Sequence, residues 1–281
     1  MTEFLDVAGG RIAYEVAGEG VGQPLVVLAP GMGDTRNAYR FLAPALAEAG
    51  YRVAAVDLRG HGESSTGWPS YTRTDTANDL TALIRHLGGP AIVVGHSFSG
   101  GSATIAAAQE PELVSAVVEI DPFTRVPKIS LSAFVTNRRY RRGGLRLMGT
   151  ALTGSVGVWM SYLNVAFPGT KPADYAEAMT ALAANLREPG RMDAARAMGK
   201  SRPADAEAKL GSIQCPALVL MGTLDSDWPD PSAEADAIVA GMPARLGRAV
   251  MISGAGHYPH TQFPDQVLAA LLPFLKEHVG A

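Results

Sequence analysis

Residues 93–101 read VVGHSFSGG and place Ser97 among small neighbours, with Gly95 two positions before it, Ser99 two positions after, and Gly100 and Gly101 next. A serine hydroxyl attacks a carbonyl only when a base takes its proton, and that base, usually histidine, needs a carboxylate to orient it. Downstream stand Asp225 in VLMGTLDSDWPD and His257 in ISGAGHYPHTQFPDQV, both just after apolar runs. The three residue types together could carry acyl transfer through a covalent intermediate. Asp227 and Asp121 are rival carboxylates. Of the other histidines, His61 and His96 suit structural hydrogen bonds, His86 falls in a helix and His278 near the end. His260 follows His257 by three residues but lacks a third ligand nearby, so no metal is expected. Cys215, the single cysteine, opens the apolar run CPALVLMG and reads as a buried thiol, which leaves no intrachain disulfide.

Chemistry of this kind needs rigid elements to hold it. PLVVLA (24–29), YRVAAVD (51–57), AIVVGH (91–96), VSAVVEI (114–120), PALVLMG (216–222) and GRAVMIS (247–253) are short runs dense in Val, Ile and Leu. Such runs suit parallel strands covered on both faces. Segments 3–7 and 11–17 alternate around AGG and predict an antiparallel hairpin at a sheet edge. Helix-length segments follow at 36–48, 75–87, 98–109, 232–240 and 264–278, so strand and helix alternate as in a doubly wound α/β sheet. Ser97 then stands at a strand–turn–helix junction, where a strained nucleophile requires small neighbours. Between 122 and 212 the alternation stops, and helical signals such as DYAEAMTALAANL (174–186) run without a parallel strand.

With DLRGHGES (57–64), GHSFSG (95–100), GTLD (222–225) and GAGHYPH (254–260) in this order, the chain resembles the α/β-hydrolase fold superfamily, in its cap-bearing, esterase-like branch. The resemblance implies a mostly parallel eight-stranded sheet with helices on both faces. It also implies a core of residues 1–121 and 213–281 and an inserted helical cap at 122–212. It further implies the order Ser97, Asp225, His257 for nucleophile, acid and base, with Asp121 at a position some members use for the acid. Backbone N–H groups of Phe98 and of Met32, in APGMGD (29–34), are the implied oxyanion donors. Pro30 stands where the family often has histidine, and Gly31 keeps the tight turn. Gly31, Trp159 and Tyr162 are the candidate substrate contacts; Phe134, Met148, Met160, Leu163 and Phe167 are further apolar side chains of the cap. A serine at the elbow excludes the mechanisms of haloalkane dehalogenases and epoxide hydrolases, which attack with aspartate.

The expected reaction is hydrolysis of a carboxylic ester or lactone with an apolar or aromatic group. C–C bond hydrolysis, acyl transfer and perhydrolysis use the same triad. A slow-turnover ligand sensor of the same fold is the rival from another class, and Ser99 is the feature that suggests it. No nucleotide, flavin or metal motif appears, so no cofactor is expected. The formal net charge of −3 gives no reason to expect nucleic acid or an anionic membrane. The basic tract RRYRRGGLR (138–146) reads as a solvated face. The chain opens without a basic stretch leading into a long apolar one, so the expectation is a cytoplasmic protein, monomeric or homodimeric.

Overall fold

The computed structural model describes residues 1–18 and 22–278. Its strands are β1 (Glu3–Val7), β2 (Gly10–Ala17), β3 (Leu25–Ala29), β4 (Arg52–Val56), β5 (Ala91–His96), β6 (Val114–Ile120), β7 (Ala217–Gly222) and β8 (Gly247–Ile252). They form one sheet in the order β1-β2-β4-β3-β5-β6-β7-β8. The β1–β2 hairpin joins β4 antiparallel, and every other pairing is parallel. The parallel register aligns Ala29 with Gly95, His96 with Ile120, Ile120 with Leu220, and Gly222 with Ile252. The loops that follow β3, β5, β6, β7 and β8 therefore emerge at one edge, where open α/β sheets place their sites.

Alternation along these strands builds two apolar layers. Val27, Val93, Val117 and Val219 face α2 (Arg73–His86), α3 (Phe98–Gln109) and α10 (Pro231–Gly241) through Leu83, Ala106 and Ile238. Val26, Leu28, Val94, Val118 and Leu220 face α1 (Leu42–Glu48) and α12 (Pro264–His278) through Leu46, Leu271 and Phe274. Each such buried side chain contributes roughly 1.5–3 kcal/mol. Helix α2 starts two residues before its expected boundary because Thr72 and Asp75 form a reciprocal capping box. The segment expected as one helix at 36–48 is two pieces, a single tight turn at Arg36–Tyr39 and then α1. Pro44 accounts for the break: without an N–H, and with a ring that meets the carbonyl four residues back, it fits only the first turn of a helix.

Between β6 and β7 the chain leaves the sheet for α4 (Leu131–Thr136), α5 (Arg138–Thr153), α6 (Val156–Ala166), α7 (Tyr175–Leu186), α8 (Arg191–Lys200) and α9 (Ala204–Glu207). Trp159, Tyr162, Leu163 and Phe167 pack there with Leu182, Leu186 and Met192 and reach down to Tyr258. Short α11 (Pro259–Gln262) precedes α12. Among the described residues no helix is long and apolar enough to cross a membrane.

Candidate active site

Ser97 occupies the one-residue turn between β5 and α3, at φ 53° and ψ −114°. A side chain with positive φ is strained, and the surrounding packing has to hold it there. Gly95 is obligatory: a Cβ on it would lie 2.2 Å from the Ser99 carbonyl oxygen. Ser99 is tolerated because it is wholly buried and its hydroxyl donates to the Pro30 carbonyl at 2.5 Å. The residue that departs from the usual elbow pattern thus ties the elbow to the loop after β3.

The other two residues converge on it. His257 Nε2 lies 2.9 Å from Ser97 Oγ, and Nδ1 lies 2.9 Å from Asp225 Oδ2. A ring nitrogen facing a carboxylate carries the proton, so Nδ1–H donates to Asp225 and Nε2 presents its lone pair to the serine hydroxyl. Burial disfavours the His257 imidazolium, but the carboxylates of Asp225 and Asp227 outweigh it and hold the group above its ordinary range. Burial likewise pushes Asp225 up, yet the charge and hydrogen bond of His257 win and keep it ionised below the usual carboxylate range.

The rival acids occupy different environments. Asp121 accepts from the Gly222 N–H at 2.9 Å, and burial together with the Asp225 charge drives its carboxyl well above the normal range. Asp227 Oδ2 stands 3.6 Å from His257 Nδ1 and accepts from the Tyr162 hydroxyl at 2.6 Å. Its burial outweighs the pull of His257 and raises its pKa to about 6.

The loop after β3 is held from three sides. His61 takes a proton-bearing Nδ1 to the Arg59 carbonyl and accepts the Gly33 N–H at Nε2, 3.0 Å away; burial pushes it down to about 4, so it stays neutral. Trp159 Nε1 donates to the Gly33 carbonyl at 3.2 Å, and Ser99 holds Pro30. The Met32 and Phe98 N–H groups donate to no acceptor among the described residues. Gly31 packs behind the elbow: a Cβ there would meet His96 Nδ1 at 2.9 Å and Ser97 Cβ at 3.1 Å. This packing gives Gly31 a role in shaping the loop beside the elbow.

Ser97 and His257 open into a cavity of about 470 Å³ lined by Met32, Phe98, Phe123, Leu147, Trp159, Tyr162, Met192 and Met198, with Asp227 and Tyr258 beside the histidine. Trp159 and Tyr162 line it as expected, whereas Phe134, Met148, Met160, Leu163 and Phe167 do not. His96 donates to the His257 carbonyl at 2.7 Å, and His260 packs its ring against Tyr39 and His96. Cys215 is buried, with its thiol raised to about 11 and unreactive. From its place in the sequence beside Arg59, Asp57 suggests either an ion pair with that residue or loop hydrogen bonds; it accepts the loop N–H groups of Arg36 and Glu63 and pairs with the Arg36 guanidinium, while Arg59 pairs with Asp79 at 2.8 Å. Position 57 lies at a strand end and position 36 in the turn above it, a proximity that only the folded sheet creates.

A buried serine–histidine–aspartate relay at the sheet edge, with a serine held at positive φ, is the arrangement the resemblance leads one to expect. The model of the alpha/beta hydrolase family matches residues 26–270. The chain belongs to the alpha/beta hydrolase family. It is 32% identical over 99% of its length to the polyketide synthase ThaQ of Burkholderia thailandensis, of which it spans 13%. It is 39% identical over 40% of its length to the 2-(acetamidomethylene)succinate hydrolase of Mesorhizobium japonicum, of which that match spans 40%. The chain thus matches less than half the length of either relative. Among solved structures, the enol-lactonase of Burkholderia xenovorans superposes with a TM-score of 0.77 at 22% identity, over 97% of this chain and 99% of that one. A likeness at that identity speaks for the alpha/beta hydrolase fold alone.

Proposed function

We propose that this member of the alpha/beta hydrolase family hydrolyses a carboxylic ester or lactone through an acyl-enzyme on Ser97. The observation that carries the reading is the unbroken chain of contacts from Ser97 Oγ through His257 to Asp225, each 2.9 Å long. His257 takes the Ser97 proton as Oγ attacks the carbonyl carbon. The Met32 and Phe98 amides receive the oxyanion, and His257 returns the proton to the leaving alcohol. A water activated by the same Nε2 then releases the acid. Asp225 orients the ring and balances the imidazolium. Asp225 is favoured over Asp121 for that role because its Oδ2 lies 2.9 Å from His257 Nδ1, whereas Asp121 accepts from the Gly222 N–H. In a lactone both parts of the product stay in one molecule.

Residues 122–212 serve in this reading as a cap, because Leu147, Trp159, Tyr162, Met192 and Met198 close the apolar cavity above the serine. Neither a metal nor an organic cofactor enters any step. The test is covalent labelling with an activated aryl phosphonate, the adduct located by mass spectrometry, together with release of nitrophenol from short-chain aryl esters by wild type and Ser97→Ala. The reading expects the label on Ser97 and turnover that vanishes in the variant. A label elsewhere, or undiminished turnover, removes Ser97 from the mechanism. Multiple turnover also separates a hydrolase from a sensor that reacts once.

A further inference from the structure

Arg73 and Arg59 are both buried, 4% and 7% exposed, and they are used differently. Arg59 is fully engaged: Nε and Nη2 grip the two Asp79 oxygens at 2.8 Å, Nη1 donates to the Ser70 carbonyl, and Nη2 also reaches the Asp75 carbonyl. Arg73 meets no carboxylate within 4.0 Å among the described residues. Its Nε donates to the Phe123 carbonyl at 3.1 Å and its Nη1 to the Ser201 carbonyl at 2.8 Å, while the guanidinium lies 4.3 Å from the Phe98 ring centroid. Nη2 donates to none of the described residues. A guanidinium offers five N–H donors, so most of this one's capacity is uncommitted. Arg73 is moreover the first residue of α2, at the positive end of the helix dipole, where a buried cation is doubly disfavoured.

What that cation faces is the catalytic cavity. Arg73 lines it with Ser97, Phe98 and Phe123, and Phe123 connects the two directly: its N–H donates to the Ser97 carbonyl while its own carbonyl holds Arg73 Nε. Arg196 and Arg202 also line the cavity; Arg202 is exposed, and Arg196 has the exposed Asp193 at 3.8 Å and donates to the Ala151 carbonyl at 3.4 Å. The one carboxyl in the lining, Asp227, is engaged by Tyr162 and His257. The cavity therefore has mostly apolar walls and three arginines against one engaged carboxylate.

We propose that Arg73 is an anion-binding residue of this cavity and that the substrate is an apolar ester or lactone bearing a carboxylate, with Arg202 and Arg196 at the rim drawing it in. The proposal deepens the hydrolase reading by naming the substrate class. A carboxylate on Arg73 gains a charge-assisted hydrogen bond in a site shielded from water, and its charge adds direct compensation to a guanidinium that burial disfavours and that only the more distant Asp205 offsets among the described residues. A neutral ester of the same shape leaves that cation unpaired.

The test uses two esters matched in shape, para-nitrophenyl hemisuccinate, which is an anion at neutral pH, and its neutral methyl ester. Binding to Ser97→Ala is measured by calorimetry, and turnover is measured with wild type. The anion should bind at least about tenfold more tightly than its neutral partner. Adding Arg73→Met should abolish that preference, the anion losing more affinity than the neutral ester, and Arg73→Lys should retain part of it. Arg202→Gln should reduce association of the anion alone and make it less sensitive to salt. Equal binding of the two esters, or a preference undiminished in Arg73→Met at an unchanged melting temperature, overturns the proposal. If Arg73→Met does not fold, the wild-type preference and Arg73→Lys decide. Failure of the hydrolase reading looks different: turnover independent of Ser97, with the binding preference intact.

Discussion

The loops at the sheet edge and the helices above them are built on different terms. Around Ser97 each loop is pinned by named polar contacts: Ser99 to Pro30, His61 to Gly33, His96 to the His257 carbonyl, Gly222 to Asp121. The helices from 131 to 207 pack against one another through side-chain shape and leave Leu131, Val135, Leu145, Met148 and Leu152 exposed. Polar contacts tie them to the core: Asn185 donates to the Gly62 carbonyl at 3.2 Å, Arg191 to the Ser64 carbonyl, and Arg40 holds Asp174. Trp159 reaches Gly33, Tyr162 reaches Asp227, and the Ala166 carbonyl accepts the His257 N–H at 2.9 Å. In the proposed reading this is a division of labour, in which the loops set the reaction and the helices select what reaches it.

Changes in the loops should therefore fall on kcat and changes in the helices on KM. The largest effect belongs to Ser97→Ala, which should cost about 10⁴- to 10⁶-fold in kcat for an aryl ester, read by nitrophenol release, with the melting temperature unchanged. Next comes Asp225→Asn, about 10⁴-fold, because the amide forces the wrong histidine tautomer. Asp121→Asn should cost far less, since Asp225 and not Asp121 accepts from His257 Nδ1. If the two aspartates exchange these effects in steady-state kinetics, the acid is Asp121. Ser99→Ala should lower kcat about tenfold by freeing the Pro30 carbonyl and loosening the Met32 amide, with KM little changed.

How much of this was legible beforehand follows the same division. Six strands are readable because buried parallel strands need nearly continuous apolar runs, the β1–β2 hairpin because its residues alternate, and Ser97, Asp225 and His257 stand out because each follows an apolar run. Their mutual distances were not readable, only their order. Arg73 gave no signal: within RTDT it looks like any helix-start residue, and its isolation depends on carbonyls 50 and 128 positions away. Tyr162 and Asp227, 65 positions apart, were noticed separately and for other reasons, one as a wall of the cavity and one as a rival acid. The helices at 122–212 were readable as helices, yet which of their aromatics face the cavity depends on how they dock, and periodicity within one helix does not encode that.

Trp159 tests the boundary between the two regions. It lines the cavity and also donates to Gly33 in the loop that carries Met32. Trp159→Phe keeps a ring in the wall and removes the N–H, so kcat should fall a few-fold, by roughly the worth of one hydrogen bond. A change in KM alone would place Trp159 wholly with the helices.

The smallest and most discriminating effect concerns Asp227, where the helices touch the chemistry. His257 must be neutral to take the serine proton, and the charges of Asp225 and Asp227 raise its pKa. The acid limb of kcat/KM should accordingly lie above the ordinary histidine value of about 6.5. Asp227→Asn removes one of the two charges, so protonation of His257 is less favoured and the acid limb should move down by about one pH unit. The plateau should change little, because Asp225 still orients the ring. Asp227 itself titrates near pH 6, so wild type and variant should differ most just above that value and converge below it. Tyr162→Phe withdraws the hydroxyl that stabilises the Asp227 anion, which favours its neutral form and should shift the limb in the same direction by a smaller amount. An acid limb that ignores both substitutions would mean that Asp227 serves only to anchor α6, and that the helices select substrate without tuning the base.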